Sequence, residues 1–233
     1  MTKLILALNV EQPALALNWL ERLGEAVDVY KLQMDLFGRA GPELVRRFVA
    51  RGARVFLDLK FHDIPSVVAK AVQAAAELGV SMLTVHTMGG AKMLSEAVKA
   101  ARSSGQNRPL ILGVTVLTSL DRQALKQVTG LDQEVQNRVL ALAELAQSMG
   151  CDGVVASPQE VAAIKKRCGP KFIVVTPGIR LGRPGPADDQ ARTMTPSDAR
   201  SAGADYIVVG RSIYEAPDPL KVIGEIRAQL GGY

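Results

Sequence analysis

VFLDLK, residues 55–60, is a short run of apolar and β-branched side chains that ends in two charged residues. A segment with helical spacing follows it, and the same switch from a short run to a helical segment recurs along the chain, which is typical of parallel βα units. Eight such runs are found, at Leu4–Leu8, Val27–Lys31, Val55–Lys60, Met82–His86, Leu110–Leu117, Gly153–Ser157, Phe172–Thr176 and Tyr206–Gly210.

The segments between these runs predict helices that begin near Pro or end at Gly. Clear examples are Pro42–Ala50, Ser66–Leu78, Glu134–Met149 and Pro219–Leu230, and the stop positions are Gly52, Gly79, Gly150 and Gly203. Eight βα units in a chain of this length predict an α/β fold, a single-domain (β/α)8 TIM barrel over residues 1–233. No GxGxxG pattern follows the first run, so a dinucleotide site is not expected.

Composition narrows the class of protein. The hydrophobic fraction of 48% is close to the globular average, so the chain can bury a core without disulfides, and Cys151 and Cys168 lack the spacing of a metal or redox motif. No apolar run approaches the roughly 18 residues of a membrane span, which predicts a soluble, cytoplasmic protein. The net charge of +5 is scattered and aromatics are 4%, which favours a small anionic substrate over nucleic acid.

Candidate functional residues are the polar ones at the carboxyl ends of the predicted strands, where barrels carry catalysis. These are Asn9, Lys31, Asp58, Lys60, His86, Thr115, Thr118, Ser157, Thr176, Gly210 and Arg211. Asp58 and Lys60 are two residues apart on one strand, so both should face the barrel interior, while Leu57, Leu59 and Phe61 face the other way. His62 also alternates away from this pair, and we expect it to be a packed structural residue.

Charge pairing suggests what this strand end does. Burying an ion costs several kcal/mol unless it is paired, so Asp58-x-Lys60 is either a structural ion pair or part of a working acid, and Lys31 and Asp63 add charges of alternating sign. A lysine among carboxylates keeps its proton and becomes a positioned proton donor. Gly210-Arg211 after strand eight predicts a phosphate site. The Gly- and Pro-rich loop at residues 178–186 is interpreted as an active-site lid.

The sequence around these residues resembles the orotidine 5'-phosphate decarboxylase family. The most specific match is FLDLKFHDIP at residues 56–65. Further collinear matches are LFG (36–38), VHTMGG (85–90), VLTS (116–119), DGVV (152–155), VTPGIR (175–180), DQ (189–190) and VGRS (209–212). The resemblance implies a homodimeric enzyme that converts orotidine 5'-monophosphate to UMP and carbon dioxide, the last step of de novo pyrimidine nucleotide synthesis, without metal or cofactor.

The resemblance also implies roles for individual residues. Lys60 is expected to protonate C6 of the substrate, Asp58 to lie beside its carboxylate, Lys31 to complete the charge network, and Asp63 to reach into the partner's site. The remaining expected substrate contacts are Asn9, Ile64, Val67, Thr118 near the pyrimidine, Pro177, Gln190 between base and phosphate, and Arg180, Gly210 and Arg211 at the phosphate end.

Three positions depart from the usual pattern of that family. Asn9 stands where Asp is usual, Gln33 where Gly is usual, and Val67 where Thr is usual. Each lost polar contact is expected to weaken ribose binding by about 1–3 kcal/mol. Two alternatives remain open from the sequence. One is a magnesium-dependent relative, a keto-gulonate phosphate decarboxylase or hexulose phosphate synthase, and the other is a homologue that binds nucleotide phosphate without catalysis.

Overall fold

Eight parallel strands form a closed barrel in the computed structural model, which describes residues 1–105, 108–181 and 193–232. Each strand pairs with the next, and the last pairs with the first. The predicted (β/α)8 barrel is thereby confirmed. The strands are β1 (Lys3–Ala7), β2 (Val29–Gln33), β3 (Val55–Phe61), β4 (Met82–His86), β5 (Leu110–Val114), β6 (Gly153–Val155), β7 (Ile173–Thr176) and β8 (Tyr206–Val209).

The helices within the described residues surround the barrel. They are α1 (Pro13–Leu23), α2 (Met34–Ala50), α3 (Pro65–Ala76), α4 (Gly90–Arg102), α5 (Arg122–Thr129), α6 (Val135–Ser148), α7 (Val161–Cys168), α8 (Pro196–Ser201), α9 (Arg211–Tyr214) and α10 (Pro219–Gln229). The four glycines predicted to stop helices all have positive φ, a conformation that costs glycine little. No helix in these parts of the chain has the length and apolarity to cross a membrane.

Several predicted boundaries were wrong. β5 ends at Val114, earlier than predicted. β6 ends at Val155, also earlier than predicted, because the chain turns at once and the Ser157 hydroxyl accepts a hydrogen bond from the Gln159 N–H at 3.4 Å. β2 begins and ends two residues later than predicted. This shift extends the strand to Gln33, which pairs in register with Asp58 of β3.

Alternation along the strands divides the apolar residues into two cores. Ile5, Phe56 and Val208 belong to a small cluster inside the barrel. Leu57 belongs to the larger cluster between barrel and helices, and Leu59 and Phe61 pack against it. The larger cluster also buries Cys151 and Cys168, which are free thiols, and burial together with the Asp152 carboxylate raises the pKa of Cys151 to about 12.

Candidate active site

A cavity of about 300 Å³ opens where the carboxyl ends of the strands meet. Most of the residues predicted from the sequence line it, namely Asn9, Lys31, Asp58, Lys60, Thr118, Pro177, Arg180, Gly210 and Arg211. They come from at least six different strands or strand ends, and only barrel closure brings them together.

Asp58 joins two lysines on the floor of this cavity. Its Oδ2 accepts a hydrogen bond from Lys31 Nζ at 3.0 Å, and its Oδ1 accepts one from Lys60 Nζ at 2.9 Å. The side chains of Asp58 and Lys31 are 9% and 11% exposed, and that of Lys60 is 29% exposed. Asp58 and Lys60 therefore face the same side of β3, as their spacing predicts, and Lys60 is the more accessible member of the group.

Opposing effects set the charge of Asp58. Burial acts to raise its pKa, but Coulombic attraction to Lys31 and Lys60 and the hydrogen bonds from both ammonium groups outweigh burial and hold the pKa below its ordinary value. The carboxylate is then ionised at neutral pH. Two ammonium groups around one carboxylate leave a net positive charge, which suits an anionic ligand.

Thr84 on β4 is a member of the site that the sequence analysis missed. Its buried hydroxyl donates a hydrogen bond to Asp58 Oδ1 at 2.9 Å and accepts one from the backbone N–H of Lys60 at 2.9 Å. Lys60 is the one non-glycine residue with positive φ, at 51°, among those described, and the pairing of β3 with β4 shifts register between Leu57 and Phe61. The Thr84 hydroxyl thus binds both the Asp58 carboxylate and the strained backbone of Lys60, which sets the direction of the Lys60 side chain.

Substitution of Thr84 by Val should therefore lower the free energy of unfolding. Val matches Thr in shape but leaves the Lys60 N–H without an acceptor and removes a donor from Asp58, and two such losses together are worth about 2–4 kcal/mol. Urea denaturation measures this loss. Thr84→Ser keeps the hydroxyl and should retain most of the stability, so equal losses in the two variants would contradict the role of the hydroxyl.

Gln33 is the second member that was not predicted as a site residue. Its Oε1 accepts a hydrogen bond from Lys31 Nζ at 2.8 Å, and its side chain lines the cavity. A signal was present in the sequence, because Gln33 lies two residues after Lys31 and alternation places both on one face of a strand. The predicted strand ended at Lys31, so this signal was not used.

The two histidines lie beside the cavity. The rings of His62 and His86 stack with centroids 5.1 Å apart and planes 18° apart. Burial lowers the pKa of His86, and Coulombic effects of His62 and Lys60 lower it further. His62 was expected to be a packed structural residue, which was wrong, because its side chain is exposed and contacts the ring of His86.

At the end of the cavity where phosphate is expected to bind, the backbone of Gly210 lies close to that of β1. A Cβ on residue 210 would lie 3.2 Å from the Ala7 carbonyl oxygen, so glycine allows β8 to turn tightly against β1 before Arg211 begins α9. After the neighbouring strand β7, the backbone N–H of Arg180 donates to the Met194 carbonyl at 3.0 Å, which fixes the chain where it leaves β7. The two guanidinium groups and the Lys pair make the cavity strongly cationic.

Three of the described residues predicted to act in catalysis or to contact substrate do not line this cavity. Asp63, Ile64 and Val67 lie at the start of α3 and are exposed, and Asp63 Oδ1 accepts a hydrogen bond from the Ile64 N–H at 2.6 Å. Ile64 and Val67 are 63% and 45% exposed, unusual values for apolar side chains. Gln190 and most of the predicted lid lie outside the described residues.

Comparison with known proteins gives a consistent assignment. The family model described as "Orotidine 5'-phosphate decarboxylase / HUMPS family" matches residues 2–226. Orotidine 5'-phosphate decarboxylases from Moorella thermoacetica and Hydrogenovibrio crunogenus are 47% and 46% identical, over 98% of this chain and 92% and 96% of theirs. The crystal structure of the enzyme from Lactobacillus acidophilus superposes with a TM-score of 0.88 at 34% identity, with 100% of each chain covered. The chain therefore belongs to the orotidine 5'-phosphate decarboxylase / HUMPS family.

Proposed function

We propose that this protein decarboxylates orotidine 5'-monophosphate to UMP and carbon dioxide, the last step of de novo pyrimidine nucleotide synthesis. The observation that carries the proposal is the group formed by Lys31, Asp58 and Lys60 at the floor of a cationic cavity. The family assignment and the names of the relatives agree with this activity.

The proposed substrate placement follows the charges of the cavity. Arg180, Gly210 and Arg211 hold the phosphate, and Thr118 and Pro177 border the pyrimidine. Asn9 serves the ribose, since its amide both donates and accepts hydrogen bonds. The substrate carboxylate then lies near Asp58, with Lys60 Nζ on the side of C6.

Lys60 supplies the proton in the proposed mechanism. As the bond between C6 and the carboxylate breaks, carbon dioxide leaves without the bonding electron pair, and that pair accepts a proton from Lys60 Nζ to give UMP. Negative charge moves toward C6 during this step, so a fixed ammonium interacts more favourably with the transition state than with the substrate. The hydrogen bond to Asp58 holds that ammonium in place.

We further propose that the reaction needs no metal or cofactor. Both oxygens of Asp58 already accept hydrogen bonds from ammonium groups, so a divalent cation bound there would meet two positive charges at close range. This arrangement favours the decarboxylase over the magnesium-dependent alternatives of the same family.

The proposed working form is a cytoplasmic homodimer of single-domain subunits with shared active sites and no nucleic-acid or membrane partner. Among the residues that the structure describes, Lys60 Nζ donates its hydrogen bond to Asp58 and is partly exposed, so it has room for a second carboxylate. Asp63 is exposed beside the apolar Ile64 and Val67, as expected for a residue that packs against a partner subunit. In the proposed dimer, Asp63 of the partner subunit reaches Lys60.

A single assay distinguishes the proposed reaction from its alternatives. Purified protein is mixed with orotidine 5'-monophosphate, with and without EDTA. The loss of substrate and the formation of UMP and of carbon dioxide are measured. We expect equal molar amounts of UMP and carbon dioxide at a rate that EDTA leaves unchanged. Loss of activity in EDTA with recovery in Mg²⁺ would support a metal-dependent relative, and tight UMP binding without turnover would support a non-catalytic homologue.

A further inference from the structure

The cavity contains an imbalance of charge at its floor. Asp58 is the one carboxylate in the lining formed by the described residues, yet both Lys31 and Lys60 donate hydrogen bonds to it. An ammonium group has three N–H donors and no acceptor. Lys31 is only 11% exposed, so water has little access to satisfy the donors that Asp58 does not reach.

Gln33 provides a second hydrogen-bond acceptor for the Lys31 ammonium. The Gln33 Oε1 lies 2.8 Å from Lys31 Nζ, closer than the Asp58 Oδ2 at 3.0 Å. Because the ammonium only donates, the amide must present its oxygen, which fixes the orientation of the whole side chain. Gln33 also pairs in register with Asp58, so the three side chains form a compact group across β2 and β3.

We infer that Gln33 is a positioning residue that holds Lys31 against Asp58, in the place of a second carboxylate. This inference rests on the proposed function, because the property it affects is the alignment and ionisation of Asp58 during decarboxylation. A neutral amide oxygen satisfies the ammonium without adding negative charge. The cavity therefore keeps its net positive charge for an anionic substrate.

Position 9 offers the alternative way to hold Lys31. Ala7 pairs with Lys31 in register, and Asn9 lies two residues beyond Ala7 along the same chain, so alternation places it on the cavity side beside β2. A carboxylate at position 9 would attract the Lys31 ammonium from the neighbouring strand. Among the described residues, Lys31 Nζ donates to Gln33 and Asp58 and not to Asn9, which leaves this task to Gln33.

Loss of the Gln33 acceptor has two expected consequences. Lys31 becomes less well fixed, so its support of the ionised Asp58 weakens and the carboxylate takes up a proton at higher pH. The acid limb of kcat/KM should therefore move to higher pH. A substitution that merely disturbed packing would lower activity at all pH values and leave this limb in place.

The test is a double-mutant cycle with four proteins, namely the wild type, Asn9→Asp, Gln33→Met and the double variant. Met keeps the length of Gln and removes the acceptor, and Gln123→Met on the exposed face of α5 is the matched control. For each protein, kcat/KM is measured against pH with orotidine 5'-monophosphate, and the melting temperature is measured against pH without substrate.

We expect Gln33→Met to lower kcat/KM about tenfold near neutral pH and to shift the acid limb upward, because the variant removes a hydrogen bond from a charged group. The ratio of kcat/KM with Asn9→Asp to kcat/KM without it should be at least about fivefold higher in the Gln33→Met background than in the wild-type background. Independent, multiplicative effects of the two substitutions, or an unmoved acid limb, would overturn the inference.

The melting temperatures separate this inference from the proposed function. Ionised Asp58 stabilises the fold, and that contribution is lost as pH falls through its lowered folded pKa. Gln33→Met should make this loss smaller and complete at a higher pH, whatever the enzyme's substrate is. A wild type that does not decarboxylate orotidine 5'-monophosphate contradicts the proposed function, whereas unchanged acid melting in Gln33→Met contradicts the role of Gln33.

Discussion

Replacement of Lys60 by Ala is expected to lower kcat by at least about 10⁴-fold, because the variant loses a proton donor and a fixed positive charge together. Removal of a proton donor typically costs an enzyme about 10²–10⁴-fold in rate, and removal of one electrostatic contact to the transition state costs about 10²–10³-fold. Both losses act at the same atom, Lys60 Nζ. No other ammonium replaces it, since Lys31 is held on the opposite oxygen of Asp58. The measurement is single-turnover formation of UMP from orotidine 5'-monophosphate.

The fold should survive this change. Asp58 keeps the hydrogen bonds from Lys31 and from the Thr84 hydroxyl, so its charge stays paired. The backbone N–H at position 60 can still donate to Thr84. We expect a cooperative melting transition and retained binding of UMP, which lacks the carboxylate that leaves.

Lys166→Ala is the matched control, because Lys166 is an exposed lysine on α7, away from the cavity and from α3. It should turn over like the wild type. Retention of most activity in folded Lys60→Ala would refute the assignment of Lys60 as proton donor, while leaving the family assignment intact.

The sequence was sufficient to predict the barrel and the facing of Asp58 and Lys60. Both follow from short-range rules, since alternation along one strand decides which side chains share a face and eight βα repeats decide the closure. The predicted residues at the ends of β1, β3, β7 and β8 reach one cavity for the same reason.

The remaining site features depend on contacts between strands. Thr84 reaches Asp58 because β3 and β4 shift register after Leu57, and no local pattern encodes that shift. The positive φ of Lys60 is also unexpected for a residue with a long side chain, and it persists because Thr84 accepts the Lys60 N–H. Alternation along the strand could have placed Gln33 in the site. It could not have identified the hydrogen bond from Lys31, since the Lys31 ammonium could have turned toward other acceptors.

Replacement of Asp63 by Ala is expected to lower kcat/KM by at least about 10³-fold, because an acidic partner near a catalytic ammonium fixes its position and charge. The subunit itself should be unaffected in stability. Asp63 is exposed, and its carboxylate contacts only the adjacent Ile64 N–H in the part of the chain that the structure describes. A large kinetic loss from an exposed residue outside the cavity is the expected sign of a site completed by a second subunit.

Mixing two inactive variants tests that arrangement directly. In a heterodimer of Lys60→Ala with Asp63→Ala, one site carries both substitutions and the other carries neither. With random exchange, an equal mixture should recover about a quarter of wild-type activity, since half of the dimers are mixed and each mixed dimer has one intact site. Native mass spectrometry confirms that the subunits have exchanged.

A mixture of Lys60→Ala with Asp58→Ala provides the decisive comparison. Lys60 and Asp58 contact each other within one chain, so in this heterodimer each site lacks one of the two and no activity should return. Recovery in the first mixture alone places Asp63 in the partner's site. Failure of both mixtures to recover, with exchange demonstrated, would mean that Asp63 acts within its own subunit, and the proposed shared active site would be wrong.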